Sequence, residues 1–159
     1  MIHLLLLFII NYSLDNNLKK GIRKYHKGKY DKAISILLKN KSENKNFDYY
    51  FYLGHSYSFD NRNDLSIIYY DSAININNRN DKVLFERGFS NFIIGNSNKA
   101  LEDLDKAIKL NPNNAKYYIN RGSIKYDLGL VDSACKDWNK AINIEGDILN
   151  NSLILMNCN

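Results

Sequence analysis

The residue types most used in catalysis and metal binding form no site-like constellation in this chain. Its three histidines, His3, His26 and His55, fall in different segments and lack the spacing that brings ligands around one ion, so no metal site is expected. No glycine-rich loop is placed to cradle a phosphate. Asp103 and Asp105 lie on a predicted helix and read as solvated carboxylates. The sequence therefore predicts no catalytic set, no cofactor and no small-molecule substrate.

Aromatic rings offer a different chemistry. Phe85, Phe89 and Phe92 are spaced by four and three residues, which puts them on one face of a helix. An apolar face of that kind is either covered by a partner or fills seams between helices. Of the two, a peptide or protein partner is the preferred reading.

The elements that hold such a face come from a repeated phrase. In "LDKAIKLNPNN", Leu104, Ala107, Ile108 and Leu110 recur at the spacing of one helical face. Asn111 and Pro112 then stop the helix, because proline lacks an N–H and disfavours helical geometry before it. The asparagines that follow suit a turn and the cap of a new helix. "WNKAINIEGD" repeats the phrase, with Ala73, Ala107 and Ala141 each 34 residues apart. Gly54, Gly88 and Gly122 keep the same interval, and so do Ala100 and Ala134. Small residues at one phase allow helices to approach closely.

Tyr50, Leu53, Gly54, Tyr57, Tyr70 and Ala73 in one unit resemble the tetratricopeptide repeat pattern. Leu84, Gly88, Ala100, Leu104, Ala107 and Pro112 repeat it, as do Tyr118, Gly122, Ala134, Trp138 and Ala141. An earlier unit keeps Gly21, Tyr30, Ala33 and Leu37 but has Asn40 where the second alanine belongs. Arg87 and Arg121 depart from the pattern by replacing the leucine before glycine. The resemblance implies an all-α, right-handed α-solenoid of about four helix-turn-helix repeats at 14–46, 47–80, 81–114 and 115–148. A capping helix is expected to follow in 149–159, since terminal repeats need a cover.

The resemblance also implies a non-enzymatic scaffold that takes an extended peptide or partner protein on its concave side. The family's groove positions fall on Phe51, His55, Lys82, Phe85, Phe89, Phe92, Lys116, Ile119 and Tyr126. The family's carboxylate clamp is not expected. Its places read Leu18, Ile22, Tyr52, Lys82 and Glu86, or in the next frame Phe51, His55, Glu86, Lys116 and Asn120.

Charge adds a second reading. Ten Lys/Arg face three Asp/Glu between Leu14 and Asn46, a balance of +7 in a chain whose net charge is +5. A basic first repeat could serve an adaptor for nucleic acid or an anionic membrane surface. A lysine-rich face that keeps an end repeat soluble is the preferred explanation, and nucleic acid is not the expected partner.

"IHLLLLFII", Ile2–Ile10, is too short to span a bilayer. Residues 1–13 suit a signal peptide or a hydrophobic N-terminal segment, and export to a periplasmic or secreted location is favoured over the cytoplasm. In an oxidising compartment Cys135, on the second helix of the last repeat, and Cys158, at the end of the cap, would form a disulfide.

Overall fold

The computed structural model describes residues 16–40, 45–146 and 158. Within them residues 16–25 form helix α1, followed by α2 (Tyr30–Leu38), α3 (Phe47–Phe59) and α4 (Asn63–Ile76). The chain continues with α5 (Asp81–Ile93), α6 (Ser97–Leu110), α7 (Ala115–Asp127) and α8 (Val131–Glu145). No strand occurs among the described residues. The helices fall into two compact units, divided between Asn78 and Arg79.

Asparagine starts the first helix of three successive pairs. The side chains of Asn46, Asn80 and Asn114 accept hydrogen bonds from the backbone N–H groups of Tyr49, Val83 and Lys116. Each bond satisfies a donor that the first turn leaves without an intrahelical partner. The turn between the two helices of each pair needs a left-handed residue. Gly28, Gly95 and Gly129 supply it with φ of 67°, 84° and 76°, and Asn61 does so at 59°. Asparagine is the side chain that tolerates this region best after glycine. At the exit of α6, Asn111 leaves helical geometry at φ −139° and ψ 82° ahead of Pro112, since a residue before proline avoids the helical region.

Within each pair the helices touch through the repeated glycine. A Cβ added to Gly54 would lie 2.8 Å from the Tyr70 ring, and one on Gly122 would lie 2.7 Å from Cδ1 of Trp138. At Gly88 it would sit 3.2 Å from both the Ala100 carbonyl oxygen and the Asp103 Cβ. Ser66, Ala100 and Ala134 are fully buried opposite these glycines. Gly88→Leu is expected to overpack this contact and cost about 1–3 kcal/mol, read as a lower denaturant midpoint.

The first unit closes on Ile34, Leu37, Tyr49, Leu53 and Tyr57. Its α2 has nine residues, against fourteen in α4 and α6. Buried Asn40 lies just beyond the end of α2, where the later repeats continue as helix with alanine. The second unit packs Tyr118 between Ala115 and Ala141, and Trp138 beside Ala134. The N-terminal segment 1–13 and the capping helix expected in 149–159, Cys158 apart, lie outside the described residues. Among the described residues no helix is long and apolar enough to cross a membrane.

Candidate functional site

The three phenylalanines of α5 come together in the second unit. With Leu104 of α6 and Asn120, Ser123 and Ile124 of α7, they line a small recess. Its wall is apolar on the α5 side and carries an amide and a hydroxyl on the α7 side. The rings are not equivalent. Phe89 is 39% exposed and Phe92 is half-buried, so both offer surface to a ligand. Phe85 is only 4% exposed, which corrects its expected role as an open groove ring. Its ring stacks on Tyr117 at 5.1 Å, and the Lys116 ammonium lies 4.6 Å from its centroid. Phe85 is thus a floor that positions its neighbours.

Other expected groove residues lie elsewhere. Ile119 packs beside Ala115, Tyr118 and Ala141, and Tyr126 packs with Trp138 at 5.6 Å between ring centroids. Both are α7 residues that join α7–α8 packing clusters, whereas Asn120, Ser123 and Ile124 reach the recess. Lys82 is exposed at the start of α5. In the first unit Phe51 is half-buried against His55 with centroids 4.4 Å apart. His55 is itself buried, and its Nδ1 lies 2.9 Å from the Tyr25 hydroxyl. It joins α3 to α1 and presents little open surface.

The carboxylates correct the sequence reading more sharply. Asp103 is buried and accepts two bonds from Arg87, at 2.8 Å from Nε and 2.6 Å from Nη2. Asp137 is buried in the same way and accepts from Arg121 Nε and Lys125 Nζ, both at 2.8 Å, as well as from Arg121 Nη2. Asp105 is exposed but pairs with Arg121 Nη1 at 2.6 Å. The hydrogen bonds to Asp137, opposed by desolvation, hold the Arg121 guanidinium above its usual range. These pairs explain why arginine replaces the leucine before Gly88 and Gly122. The signal was present in the sequence: Arg87 and Arg121 are 34 apart, and so are Asp103 and Asp137.

At the start of α5, Asp81 accepts from Asn111 Nδ2 at 2.9 Å and from the Tyr117 hydroxyl at 2.8 Å. Burial pushes the Asp81 carboxyl up, but the bonds from Asn111, Tyr117 and the backbone outweigh it and hold it below its ordinary 3.8. Burial pushes Glu86 up, partly offset by Lys116. Because the fold lowers the Asp81 pKa, its contribution to stability is complete above the unfolded value. It is lost as pH falls through the ordinary carboxylate range and below it. Glu86 acts in the opposite sense, gaining protons in the fold. Asp81→Asn should therefore flatten the loss of thermal stability between pH 5 and 2 relative to the parent chain, a comparison in which the Glu86 contribution cancels.

Cys135 and Cys158 are joined by a disulfide with their Cα atoms 5.4 Å apart, a separation that suits a bridge. Cys158 rests against the Ala134–Trp138 cluster.

Paired helices, repeated glycine contacts and a repeated cap define a helical-repeat protein. Comparison with family models gives a more particular answer. A tetratricopeptide repeat model matches residues 47–80 and 115–148, and a TPR repeat model matches 91–129. The chain belongs to the tetratricopeptide repeat family. Solved structures agree on the fold. A crystal structure of MamA protein is 24% identical, with a TM-score of 0.81 over 87% of this chain and 76% of that one. YrrB, described as a TPR protein with an unusual peptide-binding site, is 22% identical, with a TM-score of 0.77 over 86% of this chain and 69% of that one. MamA from Desulfovibrio magneticus RS-1 is 17% identical, with a TM-score of 0.78 over 85% and 77%. No curated protein matches the sequence.

Proposed function

We propose that the chain is a non-enzymatic interaction scaffold whose second unit binds an extended peptide through the α5–α7 recess. The observation that carries this reading is the pairing of exposed Phe89 and half-buried Phe92 with Asn120 and Ser123, which donate to the Lys116 and Ile119 carbonyls and keep their side-chain oxygens as acceptors. Rings anchor an apolar side chain, and the Asn120 and Ser123 side-chain oxygens can accept from backbone N–H groups of an extended ligand. Phe85, Leu104 and Ile124 form the apolar floor beneath. The peptide-binding site named for YrrB supports the reading by analogy of fold. The apolar N-terminal segment and the disulfide support an exported location.

Selection from a random peptide library is the test. The recovered peptides should share an apolar or aromatic anchor. Phe89→Ala should weaken the best of them about tenfold, or ~1.4 kcal/mol, without changing the helical circular dichroism. Peptides with no shared anchor, or binding that is indifferent to Phe89, would contradict the reading.

A further inference from the structure

We propose that the α1–α2 turn of the first unit is a binding site for single-stranded nucleic acid, separate from the peptide recess. Two independent features meet there.

The first is charge. Residues 16–40 contain eight Lys/Arg and one Asp/Glu. The turn carries Lys24, Lys27 and Lys29 within six residues. The Gly28 N–H bonds the Tyr25 carbonyl at 2.8 Å and the Lys29 N–H bonds the Lys24 carbonyl at 3.0 Å, with Gly28 left-handed at φ 67°. Lys27 and Lys29 are both exposed on this turn. Desolvation and then four cations, Lys29, Lys32, Lys27 and Arg23, push the Lys24 ammonium below its ordinary pKa. The cluster is therefore a local concentration of positive charge. An anion neutralising it would release the counterions it gathers.

The second feature is a ring platform. Tyr30, the first residue of α2, stacks on Phe59 with centroids 4.9 Å apart and planes 12° from parallel. Phe59 keeps 54% of its surface open. Tyr25 braces both rings, at 5.8 Å from Tyr30 and 6.1 Å from Phe59. Tyr30 follows Lys29 directly, so the ring platform begins where the basic turn ends. An acidic peptide or a lipid headgroup would use the charge but has no need of parallel rings. A single strand uses both, with phosphates on the lysines and a base on the ring platform.

Fluorescence anisotropy of labelled 15-residue oligouridylate and oligodeoxythymidylate with the full chain tests this. Binding should weaken roughly 20- to 50-fold between 50 and 200 mM salt if three or four phosphates are neutralised. Phe59→Ala should weaken it at least fivefold, and Lys24→Glu/Lys27→Glu/Lys29→Glu should abolish it. The helical circular dichroism of each variant checks the fold; Lys27 and Lys29 are exposed and Lys24 is half-buried, so the second variant remains informative if the first unfolds. Vesicles containing phosphatidylserine and a polyglutamate peptide run alongside. Absence of oligonucleotide binding, oligonucleotide binding unchanged in the folded Phe59→Ala chain, or capture only of vesicles or polyglutamate would each overturn the proposal.

Discussion

Asp137→Ala should lower stability by about 3 kcal/mol, the larger of the two side-chain effects expected from the ion pairs. The parent carboxylate is buried and accepts from both Arg121 and Lys125. Alanine leaves those two cations in a partly desolvated position with only exposed Asp105 to meet Arg121. Removing one side of a fully buried pair costs about 3–5 kcal/mol, and the partial exposure of Arg121 and Lys125 places this case at the lower end. A shift of about 10 °C in melting temperature is the corresponding readout. Asp103→Ala should follow the same course with a smaller effect, because Asp103 meets one cation through the bonds described above. The first unit shows that the charges are replaceable together. Residues 34 before Arg87 and Asp103 are Leu53, fully buried, and Tyr69, half-buried against the core. Arg87→Leu combined with Asp103→Leu should therefore recover most of the loss seen with Asp103→Ala alone.

Reduction of the Cys135–Cys158 bridge is the second large effect. The bridge closes a loop spanning 23 positions, worth roughly 3 kcal/mol in the chain-entropy description. The chain has one tryptophan, and it sits beside the bridge. Trp138 is buried and donates its indole N–H to the Ile119 carbonyl at 3.3 Å. Dithiothreitol, or Cys135→Ser with Cys158→Ser, should red-shift the tryptophan emission at lower denaturant than in the oxidised chain. An unchanged transition would show that the bridge contributes little to this end of the second unit.

The helices and their period were legible because they rest on residue types with few alternatives. Glycine at 54, 88 and 122 and small residues twelve positions later leave one close-packed arrangement. Pro112 and the asparagines marked the ends in the same way. Asp103 was not legible from its own helix, because a carboxylate between Glu102 and Leu104, with Asp105 beyond, reads as solvated. Its partner Arg87 lies sixteen residues away on another helix, and only their joint repetition at Arg121 and Asp137 carries the signal. The recess was legible in part. Spacing put Phe85, Phe89 and Phe92 on one face of α5, but where α7 crosses that face decides which ring is covered. Tyr117 stacks over Phe85 and leaves Phe89 open. For the same reason Asn120 and Ser123, rather than Ile119 and Tyr126, complete the recess.

Amide hydrogen exchange with and without a peptide selected on the full chain measures where a ligand sits. Protection should rise along α5 around Phe89 and Phe92 and along α7 around Asn120 and Ser123, and should vanish in Phe89→Ala at the same peptide concentration. Protection confined to other helices, or persisting in that variant, would contradict a peptide site in the α5–α7 recess.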